Sequence, residues 1–280
     1  MFIFSSVINR NKSTYLLPNV SYTKRYLQAE NQSLRNRMTK KIYLFLFLFT
    51  AILLVGFYFT SELNNFWFAH FSHLGIMLVA GLLIIGIDKG KLPNKEKTSL
   101  KINQIAGIII GIVGLIGVSN FIPVLATKLA GIEMSGFLKS SELNRVLLVV
   151  ISISIFEEIL FRRILAQKIK NTLGFKKAIW ISALIFAIAH IYTDTGLLSA
   201  FIAGAIFAYI YLKTNNIYLS IIAHLVYNLT TYFLTPIFIE NFDGINKYSI
   251  IVSIILIGLG LMYGMIRILN KKPAGNNVYN

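Results

Sequence analysis

Long apolar stretches dominate this chain, and the polar residues gather between them. Eight such stretches share a length close to that of a membrane span: about 42–60, 66–87, 103–125, 142–164, 178–194, 196–212, 217–238 and 248–268. A helix needs roughly 20 residues to cross about 30 Å of hydrocarbon at about 1.5 Å per residue. The pattern therefore predicts an all-α fold, a polytopic membrane helix bundle with about eight transmembrane helices.

Composition supports this prediction and narrows the choice of partners. The chain is 56% hydrophobic and only 14% charged, and it has no cysteine, which excludes disulfides and thiolate metal sites. Its net charge of +16 is compatible with nucleic-acid binding. However, the basic residues cluster at the ends of the apolar stretches, which is typical of topology signals and of contact with anionic lipid. We therefore expect anionic lipid at the cytoplasmic face and no nucleic-acid partner.

The distribution of Lys and Arg also predicts the topology. With the N-terminus inside, all but four of the 27 basic residues fall in cytoplasmic segments, the exceptions being Lys128, Lys139, Arg145 and Lys247. This bias predicts both termini inside and an even number of spans. The expected regions are a basic cytoplasmic tail at 1–41, one transmembrane domain at 42–270 and a cytoplasmic C-terminal tail at 271–280.

Two adjacent carboxylates, Glu157 and Glu158, interrupt the fourth apolar stretch, and Arg162 follows them. Such charges are costly near hydrocarbon unless they face a polar interior. Positions i and i+4 share a helix face, so we expect Glu158 to pair with Arg162. Glu157 then lacks a local cation and is our candidate general base. The alternative is that all three form only a buried ion-pair network between helices.

Histidines supply possible partners for these carboxylates. His224 and Asn228 lie four residues apart, so an imidazole and an amide share one helix face and can donate two hydrogen bonds to one oxygen, as an oxyanion hole requires. Taken alone, this pair is equally compatible with an interhelical clasp, and His190 with a hydrogen-bonded core histidine. His70 and His73 lie near the outer end of the second stretch, apart from the other motifs, and we interpret them as interfacial.

The three motifs in this order resemble those of the CPBP intramembrane proteases. That superfamily includes the CAAX prenyl endopeptidases and the bacterial bacteriocin-processing, immunity or Abi-type proteins. The matching residues are Glu157-Glu158-Ile-Leu-Phe-Arg162, Phe186-Ala-Ile-Ala-His190 and His224-Leu-Val-Tyr-Asn228. Each motif alone is weak, whereas all three on membrane spans are specific. The resemblance covers roughly 140–235.

The resemblance implies hydrolysis of a peptide bond within the membrane. Glu157 and His190 would activate a water, and His224 with Asn228 would stabilise the oxyanion. Glu158, Arg162 and Phe186 would support them. The cofactor is left as none or Zn²⁺, because Glu157, His190 and His224 could ligate a metal and leave a position for water. The sequence has no HExxH pair on one helix that would decide between the two.

Depth along ideal, parallel helices gives a further expectation. At helical rise, Glu157 and His224 lie about 8–10 Å from the cytoplasmic ends of their spans, whereas His190 lies about 18 Å in. His190 is therefore expected about 8 Å away from the other two, unless tilt or an interfacial start of its span reduces the mismatch. The better-matched residues indicate a site open to the cytoplasmic side.

Two other functions use the same residues differently. The first is a non-enzymatic membrane immunity or scaffold protein, which would bind a partner through the polar pocket. The second is a proton or small-solute transporter, although no inverted repeat is visible. The composition, rich in Asn, Lys and Ile, suits an AT-rich bacterium, in which prenylation would be unexpected. We therefore expect a multi-pass protein of a bacterial plasma membrane that processes a membrane-embedded peptide or protein, or confers immunity.

Overall fold

The structure is a computed structural model that describes residues 20–87, 102–131, 143–193, 196–242 and 248–271. In these ranges it contains helices and turns and no strand. The helices follow one another in this order: α1 (Val20–Ser61), α2 (Phe66–Ile87), α3 (Ile102–Leu129), α4 (Leu143–Glu157), a π-helical segment (Glu158–Ala166), α5 (Gln167–Leu173), α6 (Phe175–Ala189), α7 (Leu197–Thr214), α8 (Ile217–Phe242) and α9 (Tyr248–Asn270). The all-α prediction is confirmed.

Contacts divide the chain into two units, residues 1–43 and 44–280. The described part of the first unit is the N-terminal portion of α1, on which Gln32, Ser33, Lys40 and Lys41 are exposed. The second unit contains all three motifs. The boundaries predicted at 41 and 270 stay predictions.

Five helices are long and apolar enough to cross a membrane within the described ranges: Lys40–Ser61, Phe66–Gly86, Ile102–Leu129, Leu197–Thr214 and Tyr248–Asn270. A shorter apolar helix covers Ile217–Phe233. Every predicted apolar stretch coincides largely with a helix, but the number of crossings and the side of each terminus stay predictions. Several predicted loop charges, among them Lys139 and Lys247, lie outside the described residues, as does the side chain of Arg145.

Close backbone packing joins α3 to α9. A methyl group added to Gly114 would lie 2.5 Å from the backbone oxygen of Gly258, and one added to Gly111 would lie 2.2 Å from Sδ of Met265. Only glycine permits such an approach. Next to this interface, a core of buried side chains from α3, α7, α8 and α9 includes Leu115, Phe207 and Ala223. These helices provide the frame on which α8 and α7 present the site.

The helix that carries the two carboxylates changes its period at Glu158. Glu157 and Gln167 both have right-handed helical dihedral angles, so α4, the π-helical segment and α5 form one continuous helix. The N–H of Gln167 donates to the carbonyl of Arg162, five residues earlier, which is the π-helical pattern. Such segments are rare and occur mostly at functional sites. Gly174, at φ 91°, then ends the helix in a conformation that side chains disfavour.

The fifth predicted span, 178–194, differs from the observed helix at both ends. Helix α6 starts earlier, at Phe175, because Gly174 ends the preceding helix. It ends at Ala189, and His190 is its C-cap at φ −91°, ψ 9°. Residues 190–193 form a turn, in which the N–H of Thr193 donates to the carbonyl of His190. The last described part of the predicted span is therefore not helical.

Candidate functional site

Glu157 lies between two histidines that come from different helices. Its Oε1 is 3.6 Å from Nε2 of His190, and its Oε2 is 3.7 Å from Nε2 of His224. Glu157 and His224 are buried, with 5% and 3% of their surfaces exposed. The last residue of α4, the C-cap of α6 and the second turn of α8 therefore converge on one carboxylate.

The expected 8 Å separation of His190 from this pair is wrong. The expectation assumed ideal helices that start at the same depth. His190 lies 15 residues after the start of α6, whereas His224 lies only seven after the start of α8. Because both histidines reach Glu157, α6 must start about 12 Å further from the site than α8, measured along the helix at about 1.5 Å per residue.

Glu158 faces a different set of partners and is fully buried. Its Oε1 accepts from Nε of Arg162 at 3.3 Å and from Nδ1 of His224 at 2.9 Å. The hydroxyl of Ser220 donates to its Oε2. Glu158 therefore accepts from three donors and is ion-paired, whereas the ion pairs of Glu157 among the described residues are those with the two imidazoles. The two adjacent carboxylates occupy different environments, as their divergence on a helix requires.

Aromatic rings enclose the guanidinium of Arg162. Its central carbon lies 4.5 Å from the ring centre of Phe186, 5.8 Å from that of Phe207 and 5.9 Å from that of Phe161. The side chain is fully buried. Cation–π attraction and the Glu158 carboxylate offset part of the cost of removing this charge from water. Phe186 of the FxxxH motif also contacts the ring of His190, at 4.4 Å between ring centres.

The outer hydrogen bonds of the histidines determine which nitrogen faces Glu157. Nδ1 of His190 lies 2.8 Å from the carbonyl oxygen of Phe186, which can only accept, so Nδ1 carries the proton. Nδ1 of His224 likewise donates to the ion-paired Glu158. In neutral imidazoles, both Nε2 lone pairs would then face Glu157. Three acceptors converge, so the space between them requires a proton, the hydrogens of a water, or a cation.

These three side chains have the donor chemistry of a zinc site. Each histidine presents Nε2 while its other nitrogen is held by an acceptor, which is the usual outer arrangement of metal-bound histidine. However, among the described residues no group of three His, Cys, Asp or Glu side chains is drawn together closely enough to count as a ligand set. Both cofactor alternatives, none and Zn²⁺, therefore stay predictions.

Asn228 lies one turn beyond His224 on α8. Its Nδ2 donates to Oγ of Ser154 at 3.0 Å, and Ser154 is fully buried on α4. Sequence reasoning did not single out Ser154, nor Ser220, which donates to Glu158. Both stand four residues before a motif residue, Ser154 before Glu158 and Ser220 before His224, so a search for polar residues at helical spacing would have found them.

Phe207 is a further residue that sequence reasoning missed. Its ring stacks on that of His224 at 4.5 Å, with 27° between the planes. It belongs to α7, which carries no polar motif, and nothing distinguished it from the other core aromatics of the sequence. The stack packs one face of the His224 ring.

The interfacial interpretation of the two α2 histidines stays a prediction, but His70 contacts the helix that carries the carboxylates. This side chain is buried, and its Nε2 lies 3.2 Å from Oγ of Ser152 on α4. The ring of His73 stacks on that of Phe57, with 3.8 Å between ring centres. Ser152 lies on α4, five residues before Glu157. His70 therefore contacts the same helix that carries the carboxylates.

The part of the chain that forms this site matches a known protein family. Residues 139–230, about a third of the chain, match the family model for type II CAAX prenyl endopeptidases, described as Rce1-like. This segment is therefore similar to an Rce1-like domain. It contains all three motifs, and the recognition of the CPBP family is therefore confirmed. No curated protein and no solved structure matches the chain.

The Rce1-like family is a family of proteases, and several helices of this chain are long enough to cross a membrane. The chain is therefore an integral membrane protein with a protease-family domain. The polar side chains around Glu157 and Glu158 all come from the matched segment, whereas the histidines of α2 lie outside it.

Proposed function

We propose that this protein is an intramembrane endopeptidase that hydrolyses a peptide bond of a membrane-associated peptide or protein. The observation that carries the proposal is the convergence of His190 and His224 on the buried carboxylate of Glu157. A carboxylate saturated with donors would be a structural element. One that faces two imidazole nitrogens can instead accept and return a proton.

In the first step, Glu157 and His190 hold a water between them. The water oxygen attacks the carbonyl carbon of the scissile bond, and Glu157 takes one water proton. A new C–O bond forms, and the π electrons of the carbonyl move onto its oxygen. His190 suits this role because Phe186 holds its proton on Nδ1, which leaves Nε2 as an acceptor.

In the second step, the oxyanion requires donors. His224 lies between Glu158 and Glu157, and its Nε2 donates to the oxyanion when that nitrogen carries a proton. The Nδ2 group of Asn228 has a second N–H besides the one that it gives to Ser154. When the intermediate collapses, the C–N bond breaks, and Glu157 returns its proton to the leaving amine.

Glu158 and Arg162 orient this machinery and stay outside the proton transfer. Glu158 fixes the ring orientation of His224, and Arg162 pairs with that carboxylate. If Zn²⁺ is the cofactor, Glu157, His190 and His224 would hold it, and the ion would supply Lewis-acid activation of the water.

The substrate follows from the location of the site. A buried site on membrane helices fits a peptide that is itself embedded in or attached to the bilayer, with anionic lipid at the cytoplasmic face. Within that class, composition favours the processing of a small membrane peptide over prenyl-protein maturation. The family match supports the reaction class, and both the reaction and the substrate are part of the proposal.

The test compares the termini of membrane peptides in cells that express wild type or Glu157→Gln at equal levels. The substitution keeps the shape of the side chain and removes the base. We expect a terminus that appears with wild type, is lost in Glu157→Gln and is retained in Glu62→Gln, a matched change on an exposed residue. Unchanged termini with an intact cellular phenotype in Glu157→Gln would instead support the immunity or scaffold function.

A further inference from the structure

The continuous helix that begins as α4 meets α8 through two hydrogen bonds that are one helical turn apart, one from α4 itself and one from Glu158 at the start of the π-helical segment. Glu158 bonds to His224, and Ser154, four residues earlier, bonds to Asn228, four residues later. Equal steps in opposite directions are the signature of antiparallel helices in one register. The face of α4 that orients the imidazole therefore also contacts the amide.

We propose that Ser154 is a positioning residue that orients the Asn228 amide for the oxyanion. This inference rests on the proposed function. Oγ of Ser154 accepts one N–H of Nδ2 at 3.0 Å, which fixes the plane of the amide. The other N–H of the same nitrogen then points in one fixed direction. Ser154 thus fixes the orientation of the Asn228 amide, as Glu158 fixes that of the His224 ring.

The amide needs such a partner. The terminal torsion of asparagine is broad, so its amide rotates among many orientations when nothing holds it. A donor to an oxyanion works only when its orientation is fixed before the reaction, and small misplacements lower the rate considerably. Ser154 is fully buried, so its hydroxyl is shielded from bulk water.

Ser152 provides a matched control on the same helix. Its hydroxyl donates to the carbonyl of Leu148 at 2.7 Å and lies beside His70, away from the α8 motif. Removing either hydroxyl changes one oxygen on α4. Only the removal at position 154 takes a partner from Asn228.

The first measurement is kcat and KM for the full chain in proteoliposomes, and the probe is a fluorescence-quenched peptide that spans the cleavage site found in the comparison of cellular termini. We expect Ser154→Ala to lower kcat about tenfold with KM within about twofold, because binding is intact and the donor is misaligned. Ser154→Thr, which keeps the hydroxyl, should restore most of kcat, and Ser152→Ala should match wild type. A wild-type kcat in Ser154→Ala would overturn the inference.

A double-mutant cycle separates positioning from a general structural effect. If Ser154 acts through Asn228, then Ser154→Ala should have no further effect on kcat in an Asn228→Ala background. If Ser154→Ala caused a general structural defect, its loss of kcat would instead multiply the loss caused by Asn228→Ala. Multiplicative losses would therefore contradict the positioning role.

The absence of cysteine from the chain allows a test that needs no substrate. The double variant Ser154→Cys/Asn228→Cys should form a cross-link on thiol oxidation, and Ser152→Cys/Asn228→Cys should not. If the wild type is active, a missing 154–228 cross-link contradicts only this inference. A wild type that cleaves neither the probe nor any cellular peptide contradicts the proposed function, and it reduces Ser154 to a helix clasp.

Discussion

Two helix pairs in this protein are held together by opposite means. Helices α4 and α8 meet through buried polar side chains, with Glu158 and Ser154 bonded to His224 and Asn228. Helices α3 and α9 approach closely at glycines, which meet backbone atoms and apolar side chains of the other helix. A methyl group added to Gly258 would lie 2.7 Å from the carbonyl oxygen of Gly114. Membrane helices use both devices, because lipid provides little hydrophobic drive for their association.

The difference shows which contacts can carry chemistry. Hydrogen bonds between α4 and α8 determine the orientation of each group, at the cost of burying charge. Glycine contacts between α3 and α9 determine only a distance, and they bury no side chain that could react. The α3–α9 pair can therefore serve as a frame, while the polar pair holds the reacting groups. The four predictions below test this division, from the largest expected effect to the smallest.

Removing the base should have the largest effect on catalysis. We expect Glu157→Gln to lower kcat by about 10²–10⁴-fold, the usual contribution of a general base, with the thermal midpoint unchanged. The measurement is the initial rate of purified protein in proteoliposomes, with Glu62→Gln as control. Residual activity within threefold of wild type would exclude Glu157 as the base.

Removing Arg162 should mainly affect stability. In Arg162→Met, Glu158 stays buried without its cation, which costs about 3–5 kcal/mol of folding free energy. Unfolding in increasing SDS, followed by circular dichroism, should show this loss. The double variant Arg162→Met/Glu158→Gln should recover part of it, because no unpaired charge remains. Equal stability of the single and double variants would contradict the role of Arg162 as the counter-ion.

A substitution in the glycine interface should separate stability from catalysis. Gly114→Ala forces a methyl group against the backbone of α9 and should cost about 1–3 kcal/mol. The control is Gly260→Ala on α9, because a methyl group there meets no atom within 4 Å. It should be neutral or slightly stabilising, since alanine favours helices by up to about 1 kcal/mol.

Because α3 and α9 supply no reacting group, the folded fraction of Gly114→Ala should keep the wild-type kcat. The rate per folded molecule, measured beside the unfolding curve, checks this expectation. A kcat reduced by more than tenfold would show that the frame and the site are coupled, and the proposed division would then be wrong.

The smallest expected effect concerns Ser220. Ser220→Ala removes one of three donors to Glu158, whereas Arg162 and His224 keep their bonds. We expect a loss of about 1 kcal/mol in stability and less than a tenfold change in kcat. Ser253→Ala, on an exposed hydroxyl of α9, serves as the control. A loss as large as that of Arg162→Met would mean that Ser220 is the principal partner of Glu158.

Much of the site follows from helical spacing in the sequence. The i, i+4 relation predicts the Glu158–Arg162 contact and places His224 and Asn228 on one face, because both relations lie within single helices. Helical spacing does not predict how close His190 lies to Glu157, because that distance depends on where α6 starts relative to α8. The contact of Phe207 with His224 is also not predicted, because an aromatic residue that stacks on a histidine has the same sequence pattern as one in the core.

The fold shows the same division between local and non-local information. Apolar length predicts the helices, since burial in lipid requires it. The change of period at Glu158 is invisible in apolar length, because π and α turns use the same residue types. The register of α4 against α8 depends on contacts between residues more than 60 positions apart.

The π-helical segment also has a consequence for how this chain can tolerate changes in length. A π turn closes on the fifth residue instead of the fourth, as between Gln167 and Arg162, so it accommodates an additional residue in an otherwise α-helical run. Deleting one residue from Leu165 or Ala166 could therefore be absorbed by tightening to α-helix. The same deletion within α4 would rotate Glu157 by about 100° away from both histidines. The chain thus tolerates a one-residue deletion on the C-terminal side of its carboxylates and not on the N-terminal side.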